Sequence, residues 1–426
     1  MTTADGDKFA VSDGGLGYSW EVQDGVLVLC VGDVHSYTWT GNGGDNKMSN
    51  PENWAGGSVP AADGPVDFSS LSSAATIDAD TGRTFGTVTM GTGVVTFTNS
   101  FTAASFVNAS GVVATEKVAV APDSTVTIDG DLTFSANGDE YICYDVASGG
   151  RFEVTGHIIL THKNSGKYLR PNVVNAIAGV IAAQGLVNNQ SPSRDSFQLA
   201  RAASGGRTNW EIGEDGFSGS CYFYVPGSNN PTVNITASTN FTVAAGIGAR
   251  SSNGIVLNTA GWTVTVGDGT SGYIDGAGPL TVTGGGAIAY NTDSALTGTL
   301  AIASGTTLEV PKSGTVKLSG ALDLEAGAIL AFNFTNRLTV PCLDLNGQTT
   351  GDISEDITQV TVRVSSECGR PVGGEKTLVT GYDFTGEPAP ALDAGKPQWV
   401  RGLSVNEDTG NLVLDVKPKG TMIVFR

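Results

Sequence analysis

The residues best suited to chemistry cluster between positions 151 and 207. Seven basic side chains stand there, Arg151, Lys163, Lys167, Arg170, Arg194, Arg201 and Arg207, against two acids, Glu153 and Asp195. The stretch is therefore net +5 inside a chain of net −19. Clustered cations steer and hold an acidic polymer, so the patch suits an anionic glycan. The alternative is that these side chains pair with acids on neighbouring strands. A little downstream, Tyr222-Phe-Tyr224 precedes Pro226-Gly-Ser-Asn-Asn-Pro231. In an extended strand the two tyrosines share one face, where they either stack on sugar rings or serve as core. The seven cations together with Tyr222 and Tyr224 are the candidate ligand-binding residues.

Catalytic groups are harder to assemble. Asp139, Glu140 and Asp145 precede the basic stretch, but an acid–base pair needs a defined carboxylate separation that spacing does not supply. His157 and His162 are five apart, so on one strand they face opposite sides and do not share a metal. Asp78-Ala-Asp80, Asp129-Gly-Asp131 and the run from Gly267 to Asp275 carry oxygens that suit calcium. They lack the nonapeptide repetition of calcium-binding coils and read as ordinary turns. Gly284-Gly-Gly286 has no following Lys-Ser or Lys-Thr and is not a phosphate loop. No catalytic residue, metal or cofactor is assigned.

What must position these residues follows from composition. Glycine supplies 59 of the 426 residues, about twice its usual share of roughly 7%. Charged residues are only 15% of the chain. Gly, Thr, Ser, Ala, Val and Asn favour short strands joined by tight turns. The acidic balance argues against nucleic acid, whose phosphates require clustered Lys and Arg. No apolar run approaches the ~20 residues that span a bilayer, so membrane insertion by this chain is not expected. The opening Met-Thr-Thr-Ala-Asp-Gly-Asp has neither the basic nor the apolar region of a signal peptide. Cys30, Cys143, Cys221, Cys342 and Cys368 lie far apart without a CxxC, which excludes a disulfide-dense scaffold and leaves one or two bridges open.

The strands repeat. Alternating pairs fall at Leu300/Ile302, Leu308/Val310, Val316/Leu318, Leu322/Leu324 and Leu330/Phe332, separated by Ser-Gly or Ala-Gly turns. Leu300 to Leu322 and Leu308 to Leu330 are both 22 residues, a period that marks a repeat architecture. Three short strands per period predict a three-sided solenoid rather than a hairpin sandwich, whose strands run longer. The same alternation recurs at Val126/Ile128, Leu132/Phe134 and Phe152/Val154, again with 22 residues from Leu132 to Val154, and at Val264/Val266. The expected architecture is a right-handed parallel β-helix over residues 37–384, with irregular loops at 161–232. Residues 1–36 and 385–426 form terminal strand or cap segments. These ends resemble each other: Asp24-Gly25 or Asp408-Thr-Gly410 leads into Leu-Val-Leu-x-Val at 27–31 and 412–416. The chain thus opens on what reads as the last strand of a preceding module.

Two stretches resemble passenger regions of bacterial autotransporter-type surface proteins. One is Trp39-Thr-Gly-Asn-Gly-Gly-Asp45, Met48-Ser-Asn-Pro-Glu-Asn-Trp54 and Pro60-Ala-Ala-Asp-Gly-Pro-Val-Asp-Phe68. The other runs from Gly272 through Gly286 and on from Leu296 to Val310, and is similar to the autotransporter-associated β-strand repeat. The resemblance covers about residues 37–385 and implies an exported β-helix at a Gram-negative-type cell surface. The chain departs from the pattern in ending Gly420-Thr-Met-Ile-Val-Phe-Arg426, with no strands of a membrane barrel. The expectation is a non-catalytic stalk or adhesion module, extracellular or on the bacterial surface, whose partner is a polysaccharide or cell-surface glycan. Two other classes compete with it. One is a carbohydrate-active β-helix enzyme, lyase or glycoside hydrolase, acting on acidic polysaccharide. The other is a fibre subunit that self-associates through its terminal strands.

Overall fold

The structure, a computed structural model, describes residues 18–23, 26–31, 37–108, 118–134, 144–161, 179–189, 197–200, 206–220, 222–268, 271–347 and 357–417, with backbone alone for 18–31. It is a β-solenoid of stacked parallel strands. One face carries, in ascending order, Thr232–Ala237, Ile255–Asn258, Leu280–Thr283, Leu300–Ile302 and Leu322–Leu324. A second carries Phe241–Val243, Thr263–Val266, Ala287–Tyr290, Thr307–Val310, Ile329–Phe334 and Thr361–Ser366. The third carries Phe197–Gln198, Phe223–Val225, Gly246–Ala249, Tyr273–Gly276 and Ala295–Leu296. Gly314–Lys317, Pro341–Asp344 and Gly374–Thr380 continue the parallel stacking toward the C-terminus.

Alternation puts every second side chain inside, where coil registers align them into columns. Phe241, Val264, Ile288, Leu308, Leu330 and Val362 form one such column, all buried. The 22-residue period holds between Leu300 and Leu330, because Leu300 pairs with Leu322 and Leu308 with Leu330, but not from Leu132 to Val154, which are not register partners. Upstream the coil is longer. Leu132 pairs with Ile158, and Ile128 with Val154, a step of 26 residues rather than 22. The strand Arg151–Leu160 runs around the corner between two faces, and its register breaks between Val154 and His157. The corner itself keeps its length, since Ile128 to Leu132 and Val154 to Ile158 are both four apart, so the added residues lie elsewhere in the coil.

Close stacking at another corner explains part of the glycine excess. Gly278, Gly298 and Gly320 sit one above another, and a Cβ on each would lie 2.0–2.3 Å from a carbonyl oxygen of the coil below. No other residue fits that approach.

At the N-terminal end of the solenoid the column is aromatic. Trp39 and Trp54 are buried and meet edge to face at 5.0 Å, and both contact Phe68, which leads to Phe97. Trp54 Nε1 donates to the Met48 carbonyl at 2.8 Å. These rings fill the first coil, as expected of an end that must be shielded. At the other end the chain changes direction. Leu412–Val416 runs antiparallel between Gly374–Thr380 and Val400–Val405, with Leu412, Val413, Leu414 and Val416 buried. Tyr18–Gln23 and Val26–Val31 form a separate antiparallel hairpin. Cys342 and Cys368 are free thiols, and burial pushes that of Cys342 up. Cys143 and Cys221, and the side chain of Cys30, lie outside the described residues.

Replacing Trp54 with Ala should destabilise by about 3–5 kcal/mol, the usual range for a buried tryptophan. Hydrogen exchange should place the loss in coils before about Phe106, because a solenoid couples mainly neighbour to neighbour. Equal deprotection along the whole stack would contradict this.

Candidate functional site

Of the nine candidate residues, Lys163, Lys167, Arg170, Arg194 and Arg201 lie outside the described residues, as do Asp139, Glu140, His162 and the side chain of Asp145. Arg151, Arg207, Tyr222 and Tyr224 are placed. Arg207 is exposed at the start of the strand Arg207–Ser218. Arg151 is occupied. Its guanidinium grips Glu211 through two hydrogen bonds of 2.8 and 3.1 Å and reaches Glu153 at 3.3 Å. Glu153, Ala182 and Glu211 share one outward column on successive coils. The short Ala182 leaves a gap through which Arg151 bridges two coils. The pair holds the arginine protonated, while the hydrogen bonds from Arg151 lower the Glu211 carboxyl. For this residue, pairing with nearby acids is the reading that the geometry supports.

A second bridge forms at the corner. His157 Nδ1 lies 3.0 Å from Asp131 Oδ1, and Nε2 lies 3.1 Å from Asp215 Oδ2. Here Gly185 separates the coils that carry His157 and Asp215. The His157 backbone N–H also donates to Asp131 at 2.8 Å. That bond, followed by the ring contact, holds the Asp131 carboxyl below the usual range. The neighbouring Asp129 accepts from Thr155 Oγ1 at 3.3 Å, and Asp78 accepts from the Asn99 amide and the Asp80 N–H. Both carboxylates thus serve turns.

The tyrosines build the most elaborate site. Phe223 points inward against Phe217 and Phe197, so Tyr222 and Tyr224 share the outer side, as alternation predicts. Both are nonetheless 7% exposed and offer no free ring face. The next coil presents Gly246 and Gly248, and the coil after that Tyr273 and Asp275. Tyr222 lies across the glycines: a Cβ on Gly248 would sit 2.0 Å from its hydroxyl oxygen. That hydroxyl donates to Asp275 Oδ1. Burial first, and then Asp275, raise the Tyr222 pKa, so the phenol stays a donor. The Arg250 guanidinium lies 5.5 Å from the Tyr222 ring centroid and 5.1 Å from that of Tyr224, within cation–π range. The Gln198 amide donates to the Tyr224 hydroxyl from the coil before.

The tyrosines are therefore a floor. The surface above them is Arg250, which is exposed, Tyr273, 40% exposed, and the half-buried Asp275. A guanidinium, an aromatic ring and a carboxylate lie side by side on a rigid sheet. Such a set can stack the apolar face of a pyranose and bond its hydroxyl or carboxylate groups. Sequence reasoning named the floor, read Tyr273 and Asp275 only as part of the turn-like run from Gly267 to Asp275, and missed Arg250. The signal was Gly246-x-Gly248, two small residues spaced like Tyr222 and Tyr224 and one coil further on.

No family profile, curated protein or solved structure matches this chain.

Two outcomes are expected here. Gly248→Ala should lift Tyr222 from its bed, costing about 1–3 kcal/mol as overpacking does and altering the near-ultraviolet circular dichroism of the tyrosines. An unchanged spectrum would disprove the tight stacking. Because Asp131 is depressed in the folded state, its stabilising contribution is complete above the ordinary carboxylate range and disappears as pH falls through its folded-state pKa. Thermal unfolding between neutral and acid pH should therefore fall less steeply for Asp131→Asn than for the parent. Parallel curves would refute this role.

Proposed function

We propose that this chain is a non-catalytic, exported surface protein, a β-solenoid stalk that contacts acidic glycan through Arg250, Tyr273 and Asp275. The observation that carries this reading is the third-face strip itself. Three successive coils place two packed tyrosines, a guanidinium, an exposed ring and a carboxylate in one row. Tyr273 and Asp275 stand on the strand Tyr273–Gly276 and Arg250 directly follows the strand Gly246–Ala249, so little ordering is needed when a sugar binds. The motifs around Trp39–Phe68 and Gly272–Val310, which resemble surface-displayed passengers, support export and display at a bacterial cell surface. The basic residues 163–201 extend the same reading, as further cations that an acidic polymer would meet.

Binding to an immobilised panel of uronate and neutral polysaccharides tests the proposal. The parent chain should prefer the acidic polymers. Arg250→Ala and Tyr273→Ala should each weaken binding by about tenfold, the size of a cation–π or stacking contact. Parent-like affinity in both variants would overturn it. The same incubation separates binding from cleavage. Polymer length should stay constant. New reducing ends or unsaturated products would favour instead a hydrolytic or eliminative role for the carboxylates at the His157 corner.

A further inference from the structure

The two antiparallel hairpins at the chain's ends are the same device used twice. At the C-terminal end, Leu412-Val-Leu-Asp-Val416 pairs with Val400–Val405 on one edge and with Gly374–Thr380 on the other. Near the N-terminus, Leu27-Val-Leu-Cys-Val31 pairs with Tyr18–Gln23, and among the described residues its second edge has no partner. Val26–Val31 is six apolar residues in succession, the composition of a strand covered on both faces. A lone two-stranded hairpin is marginal in water. The N-terminal strand thus has the sequence of an interior strand and the pairing of an edge.

The C-terminal sheet has an open edge of its own. Val400–Val405 is its last strand, bonded only to Leu412–Val416 among the described residues. The Asn406 N–H donates to the Asn411 carbonyl. By the alternation of an antiparallel ladder, the N–H groups of Leu403 and Val405 then face away from Leu412–Val416, toward the open side. Ser404 is exposed and Arg401 is held by Asp415 at 3.7 Å. Among the described residues the strand contains no proline, and the one side chain that bonds its backbone is Lys396, whose Nζ donates to the Arg401 carbonyl at 3.2 Å, away from Leu403 and Val405.

We propose that Val26–Val31 of one copy of this chain adds to the Val400–Val405 edge of a second copy, joining copies head to tail. Compatibility is already on display within the chain. The strand that pairs with Val400–Val405 on its filled side is Leu-Val-Leu-x-Val, and the N-terminal strand repeats it. Main-chain bonds supply the affinity, as in other strand additions. The two surfaces differ, so the contact is heterologous and leaves one free edge at each end of a pair, from which oligomers larger than a dimer grow. The net charge of −19 opposes the approach of copies, and added salt relieves this repulsion.

The test uses the full chain and two variants, each removing one open-edge donor. Val405→Pro blocks the C-terminal edge without touching the bonds to Leu412–Val416. In a hairpin with two residues between Gln23 and Val26, the Leu29 N–H likewise faces the unfilled side, so Leu29→Pro blocks the N-terminal edge. Light scattering on the eluting protein should show the parent growing from the 43.5 kDa monomer to several-fold larger species between about 1 and 100 µM. Higher salt should strengthen this growth. Each variant alone should remain monomeric. Mixed together, they keep one good edge each and should form a particle of twice the monomer mass and nothing larger. That heterodimer also shows that both variants fold. A parent that stays monomeric throughout, variants that assemble like the parent, or a mixture that stays monomeric would each overturn the proposal.

Discussion

The parallel ladder between coils is the constraint on which everything else depends. Each backbone N–H and C=O on a face finds its partner in the coil above or below, at a spacing of about 4.8 Å. Inside, the ladder turns alternating Leu, Ile and Val into unbroken columns. Outside, it turns the surface into a grid whose rows are coils and whose columns are registered residues. Side-chain contact on the outer surface is therefore decided by grid position and by the size of the residue between.

That rule unites the three outer clusters. Arg151 meets Glu211 across Ala182, His157 meets Asp215 across Gly185, and Tyr222 meets Asp275 across Gly246 and Gly248. In every case a small residue on the middle coil opens a slot, and a long side chain lies through it to a carboxylate two coils away. In the third, Arg250 and Tyr273 remain at the surface above a buried floor, which is why the functional reading rests there.

How much of this is legible from sequence depends on coil length. Between Leu300 and Phe334 the coils are uniform and the turns are short, so spacing alone predicts which leucines stack. Around Leu132 the coil is longer and the step is 26 residues, so a period carried over from the regular region misassigns the register. The site suffers more from the same effect. Tyr224 stacks on Gly248 and Gly248 on Asp275, steps of 24 and 27 residues, so no single period brings Tyr222 to Asp275. Inward residues announce themselves by alternation, whereas outward partners are known only when the length of each corner is known. The tyrosines were recognisable as a pair because their relation is local, and Arg250 was not because its relation is not.

The direction of the intercoil bonds also sets how this scaffold bears load. They run along the long axis of the stack, so a pull on its two ends does not shear a whole sheet at once. It opens the bonds of one coil before the next is engaged, each layer peeling away in turn and releasing some twenty to thirty residues of slack. A tether made this way lengthens in small increments under tension and absorbs work as it does so, where a sandwich of the same mass resists and then ruptures.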